Sequence, residues 1–209
     1  MSITHHASDD TLAAFASGNL DEARSVVVAA HVALCARCRA TMGALEQVGG
    51  ALIDRAAPAS MRAESLDAAL ARIGTVTPAA SAPRTTPDYP QVLAPYSVGP
   101  WRWIGPGVYW RGADVPSSDG TRVFMLKSAP GSSLPHHGHS GVEWTCVLEG
   151  AFRHEQGRYG PGDFDDADDN VHHTPFVEPG ATCVCLVALQ GRLELRGWIG
   201  KLLQPFVRL

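Results

Sequence analysis

One imidazole and two thiols recur at a fixed spacing, His31-x3-Cys35-x2-Cys38, inside an alanine- and valine-rich stretch. Residues four and seven apart lie close to one face of a helix, so a helical reading stacks the three side chains together. Imidazole with two thiolates is a zinc-type donor set, one ligand short of a closed tetrahedral site. What supplies that ligand, and what the site holds together, governs how the chain can fold.

The bulk of the chain restricts its function class. Net charge is −4 over 209 residues, and a cut at residue 85 leaves 7 basic and 8 acidic residues before it and 10 and 13 after. Neither half is basic, which argues against direct nucleic-acid binding. No apolar run approaches the roughly 20 residues of a membrane span. The opening MSITHHASDD lacks the charged-then-apolar pattern of a signal peptide. Five cysteines in that setting point to a reducing cytoplasm, where clustered Cys and His bind metal more often than they form disulfides.

The chain divides into three textures. Residues 1–73 read as helices: one capped by Ser8 and stopped at Gly18, then others over 21–34, 36–57 and 65–73. Residues 74–92 carry four prolines among small and polar residues, a linker composition. From 93 to 209 short apolar runs alternate with turns, as in 122–126 (RVFML), 143–148 (EWTCVL) and 182–189 (TCVCLVAL), which predicts an all-β barrel or sandwich.

The β part holds a second constellation. Gly131, five residues, His137-x-His139, three residues, Glu143, six residues and Gly150 form one pattern; a Gly160-Pro161-Gly162 turn and His173-Thr-Pro175 follow. Two residues apart on a strand, His137 and His139 point to one side. The His-x-Pro pattern and strand alternation favour His173 over His172. Three imidazoles and a carboxylate make a metal site with open positions, a donor set that Zn, Fe, Mn, Ni and Cu all accept. Cys183 and Cys185 share one strand face; they read as compact packing residues, with a redox pair as the alternative. Cys146 reads as core, His154 as an isolated surface residue, the acidic run 163–170 as a solvated turn, and the five Trp residues, Trp198 among them, as packing of the barrel and its edges.

The β half resembles the cupin superfamily: its first motif is complete in spacing, and its second is partial, with Val177 where Asn is usual. The N-terminal half resembles zinc-binding anti-sigma domains through His31, Cys35 and Cys38, and that resemblance implies His6, rather than His5, as the fourth zinc ligand. Together they resemble the ChrR-type anti-sigma factors over nearly the full length, down to the KLLQPF tail. The resemblance implies an α+β, two-domain protein: an N-terminal zinc-bound helical bundle followed by an all-β cupin (jelly-roll) barrel. It implies a cytoplasmic anti-sigma factor that holds an extracytoplasmic-function-type sigma factor from RNA polymerase in a 1:1 complex, without direct contact to nucleic acid or membrane. Zinc is expected in the helical site as a structural metal and in the cupin site, where Fe, Mn and Ni are alternatives. The cupin would receive an oxidative signal such as singlet oxygen or an organic hydroperoxide. Apolar faces around Leu12, Phe15, Val27, Leu45, Val48 and Leu52 are expected to meet sigma. The rival class is a cupin metalloenzyme of the iron-dependent dioxygenase type with a regulatory zinc domain.

Overall fold

The structure, a computed structural model, describes residues 2–73 and 89–195. Most of the proline-rich linker, Trp198 and the KLLQPF tail lie outside the described residues.

Four helices come first: α1 (Asp9–Ala16), α2 (Glu22–Leu34), α3 (Ala36–Asp54) and α4 (Ser65–Arg72). Ser8 caps α1 as expected, its hydroxyl accepting from the Thr11 N–H at 3.1 Å. Asp21 caps α2, with Oδ1 accepting from Ala23 N–H at 3.0 Å. α2 carries three consecutive valines, poor helix formers, yet Val26, Val27 and Val28 are all buried. Burial, rather than propensity, therefore holds this helix. α3 has 19 residues but buries only Cys38 and Met42, and α4 buries none. Among the described residues no single helix is long and apolar enough to cross a membrane.

A short 3-10 turn at Gln91–Leu93 leads into twelve strands: β1 (Ser97–Val98), β2 (Arg102–Gly105), β3 (Val108–Asp114), β4 (Arg122–Ser128), β5 (His137–His139), β6 (Glu143–Glu149), β7 (Phe152–His154), β8 (Gly157–Tyr159), β9 (Phe164–Ala167), β10 (Phe176–Val177), β11 (Cys183–Leu189) and β12 (Leu193–Leu195). Seven of them form one antiparallel sheet in the order β1-β3-β4-β11-β6-β9, with β2 beside β3. Two small sheets, β10-β7-β8 and β12-β5, make up the rest, and an isolated bridge joins His137 to His173. The large sheet is not closed into a continuous hydrogen-bonded cylinder among the described residues.

The central strands are apolar on both faces. Along β11, Cys183, Cys185, Val187 and Leu189 join Phe124, Val147 and Phe152 in one core cluster. The intervening Leu186 and Ala188 join Val123, Met125 and Cys146 in another, shared with Val27 and Val28 of α2. Helix α2 thus lies against β4, β6 and β11 and covers the face that would otherwise meet water. Polar ties reinforce the seam. Asp21 Oδ2 accepts from Ser118 N–H at 2.7 Å and from its hydroxyl at 2.8 Å. Arg24 donates to Asp119 at 2.7 Å, and Tyr96 OH to Glu22 at 2.7 Å.

Two expectations are corrected here. The acidic run is a solvated turn only at its end: residues 168–170 are exposed, whereas Asp163 and Asp165 are each 4% exposed, because backbone N–H groups and His154 pair with them. His154 is likewise buried, its side chain fully covered.

Candidate metal centres

The helical centre forms where the chain turns. α2 ends at Leu34, Cys35 takes an extended conformation, and α3 leaves after a bend of 114°. A break at Cys35, not one continuous helix face, therefore brings the donors together. Cys35 also caps α3: its sulfur accepts from Cys38 N–H at 3.5 Å. His6 arrives from the segment before α1. Its Nδ1 lies 3.3 Å from Cys35 Sγ and 3.6 Å from Cys38 Sγ, and His31 Nε2 lies 3.1 Å from Cys38 Sγ. Tetrahedral zinc with ordinary Zn–S and Zn–N bonds sets such N···S edges at about 3.6 Å, so the cluster matches the expected donor polyhedron. His5 points elsewhere, against Tyr159. The four residues His6, His31, Cys35 and Cys38 can therefore hold one metal ion.

Protonation follows from the surroundings. His31 Nδ1–H donates to the Gly162 carbonyl at 2.7 Å, which leaves the Nε2 lone pair facing the sulfurs. Burial pushes the His31 pKa down, with that carbonyl partly opposing. Burial, and then the neighbouring Cys35, pushes the Cys38 thiol up to about 11. Without a cation the Cys38 thiol stays protonated at neutral pH; a metal has to displace the proton. Zinc added to metal-free protein is thus expected to release about two protons per ion at this site, and uptake to weaken as pH falls. A pH indicator in weak buffer measures both.

The second centre lies in the β half. β5 places His137 and His139, Glu143 opens β6, and His173 sits on the segment bridged to β5. His137 Nε2 and His173 Nε2 face each other at 3.0 Å, and His139 Nε2 lies 3.2 Å from Glu143 Oε2. His137 Nδ1–H donates to the Pro135 carbonyl at 2.7 Å, again leaving Nε2 as the free lone pair. His139 Nε2 is buried and meets only Glu143 Oε2, outside good hydrogen-bond geometry, an arrangement that a cation among the donors would explain. Burial alone would raise the Glu143 pKa; His139 against it, with His137 and His173 nearby, overcomes this and holds it at about 2. Burial, followed by the His137 charge, lowers His173 to about 4. A neutral His173 and an ionised Glu143 are the protonation states that metal ligation requires. His136 and His172 fall outside this group.

The two centres differ in access. In the helical one, His31, Cys35 and Cys38 are at most 2% exposed. In the β one, His137, Glu143 and His173 line a cavity of about 80 Å³ whose other walls include Phe124, Leu126 and Val187. That is room for roughly five water-sized groups. The first has the character of a closed structural site, the second of a site with a position left open. Cys183 and Cys185 line the same cavity with sulfurs 3.7 Å apart, well beyond the about 2.05 Å of a disulfide; both are free and buried.

His154 was not legible as a contributor. Its Nδ1 accepts from Gln156 N–H at 3.2 Å, so its Nε2–H donates to Asp165 at 3.0 Å. Although His154, Asp165 and His173 come together, the His154 ring has no lone pair to spare, and it serves as a buried hydrogen-bonded pair with Asp165.

Two groups of potential metal ligands are thus joined in one chain: an enclosed two-Cys, two-His cluster at the helices and a three-His, one-Glu cluster lining a cavity of the β fold. Residues 91–192 match the family model of the ChrR cupin-like domain. The whole chain is 42% identical over 216 residues to the anti-sigma-E factor ChrR of Cereibacter sphaeroides, covering 100% of both. A chain in the crystal structure of Rhodobacter sphaeroides SigE in complex with the anti-sigma ChrR superposes with a TM-score of 0.76 at 39% identity, covering 90% of this chain and 100% of that one. The chain belongs to the family of ChrR anti-sigma factors.

Proposed function

We propose that the chain is a cytoplasmic anti-sigma factor that sequesters an extracytoplasmic-function-type sigma factor in a 1:1 complex. The observation that carries this reading is the full-length likeness to a ChrR chain solved with SigE. His6, His31, Cys35 and Cys38 hold a structural zinc that fixes α3 to the rest of the helices. His137, His139, Glu143 and His173 hold a second metal, zinc by preference, in a domain over 93–209 that receives an oxidative signal such as singlet oxygen or an organic hydroperoxide. The molecule is a regulator, not a metabolic enzyme.

The docking surface follows from exposure. Leu12 and Val27, expected at that surface, are core residues at 1% and 0% exposure, whereas Val48 and Leu52 stand 60% and 65% exposed. Sequence reasoning passed over α4, where Leu66 and Leu70 stand four apart on one face at 66% and 54% exposure, with Ile73 just beyond the helix at 75%. An amphipathic helix with no buried side chain is built for a partner's groove.

Co-expression with the partner sigma factor tests this. Wild-type protein is expected to co-purify with sigma at 1:1, and a Leu66→Glu/Leu70→Glu variant to bind it about 100-fold or more weakly with an unchanged circular dichroism spectrum. Failure of the wild type to capture sigma would sink the reading. Full binding by the variant would remove α4 from the interface.

A further inference from the structure

The helical metal centre is not self-contained. His6 is delivered by residues 2–7, which form no helix and are held by the β half. Asp163 Oδ1 accepts from the backbone N–H groups of Thr4 at 2.6 Å and His5 at 2.9 Å, while Oδ2 accepts from Gly160 N–H at 2.7 Å. Phe164 N–H donates to the His5 carbonyl at 3.2 Å. Ile3 lies directly over Gly162, which has a φ of +88° and no space for a side chain. The carbonyl of the same Gly162 orients the His31 ring. All of these contacts come from one turn, residues 160–164, between β8 and β9.

The same turn touches the other centre. Tyr159, which ends β8, packs on His5 with ring centroids 4.2 Å apart and on His154 at 4.8 Å. His154 lies 4.8 Å from His173. Four rings, His5, Tyr159, His154 and His173, thus run from the neighbour of one proposed ligand to another proposed ligand. Asp165, two residues past Asp163, fixes the His154 ring.

We infer that the 160–164 turn is the outer shell of the helical metal centre and links metal retention there to occupancy of the β centre. The inference rests on the metal assignments proposed above. Losing a group that orients a ligand costs about 10–100-fold in metal affinity, and here two of four ligands are oriented from the β half. A metal bound to His173 fixes the ring against which His154 and Tyr159 stack, and so fixes the surface on which His5 and the His6 segment lie. Losing that metal frees the stack and loosens the segment. By linkage, metal in the helical centre favours metal in the β centre to the same degree.

The test uses full-length, zinc-loaded protein challenged with a chromophoric chelator, which reads the release rate of each zinc. A His139→Ala/Glu143→Gln variant, shown by metal analysis to hold one zinc instead of two, identifies the phase that belongs to the helical centre. Asp163→Asn places an amide N–H2 among the backbone donors and is expected to speed helical zinc release by about tenfold. Emptying the β centre in an otherwise native chain is expected to speed it by about threefold or more, and to have no effect in a Tyr159→Ala background. Unchanged release in Asp163→Asn overturns the outer-shell role. Unchanged helical release in the His139→Ala/Glu143→Gln variant, which leaves the turn intact, overturns the linkage. A wild-type protein with no zinc on its helical cysteines would instead overturn the metal reading on which both rest.

Discussion

With Cys35 and Cys38 both replaced by alanine, the protein is expected to lose one metal equivalent, part of its helix content and its hold on sigma. The reason lies in how little else anchors α3. Only Cys38 and Met42 of its 19 residues are buried, so its apolar contacts contribute on the order of 2–4 kcal/mol. Structural zinc contributes far more, about 10–16 kcal/mol of apparent binding free energy in small domains. Without it, α3 and the exposed row at Val48 and Leu52 lose their fixed position. Metal analysis, circular dichroism and co-purification read the three losses separately. A double variant that still bound sigma with native affinity would show that the metal is dispensable for the docking surface.

Cutting the chain after Arg84 is the second large perturbation. The fragment keeps α3 and α4 and is expected to bind sigma, but not to release it on an oxidative stimulus. It is also expected to melt about 15 °C below the intact protein. Val27 and Val28 share a core with Met125, Cys146 and Leu186, and uncovering two such side chains costs about 3 kcal/mol. For a helical unit of this size each kcal/mol shifts the midpoint by about 4–8 °C. Thermal melting with a sigma-dependent reporter measures both effects. A fragment as heat-stable as the whole chain would show that α2 gains nothing from the sheet, and a fragment that still responded to oxidant would remove the sensing role from the β half.

The donors of both centres were legible because metal chemistry fixes residue type and spacing. The start of α1 at Ser8 was legible because a cap is local. Long-range relations were not. The run TCVCLVAL reads as a strand, yet its lack of polar alternation also signals cover on both faces, and nothing in it names α2 as that cover. Cys35 breaks a helix without Gly or Pro, because its sulfur caps α3 while facing His6. His154 and Asp163 looked solvent-facing because their partners lie on other elements: Asp165 on a different strand from His154, and Thr4 and His5 at the far end of the chain from Asp163.

Helix α2 is a rod of about 20 Å pinned at both ends: at its start by Asp21 on Ser118 and Arg24 on Asp119, and near its end by His31 on Gly162. A rod fixed twice cannot pivot. It must first let go at one end, and α3 leaves from the end that carries His31 and Cys35. Release of His31 would free the end of α2 from which α3 leaves while Val27 and Val28 stay packed on the sheet, so the 160–164 turn and the exposed apolar row of α3 are connected through a single helix end.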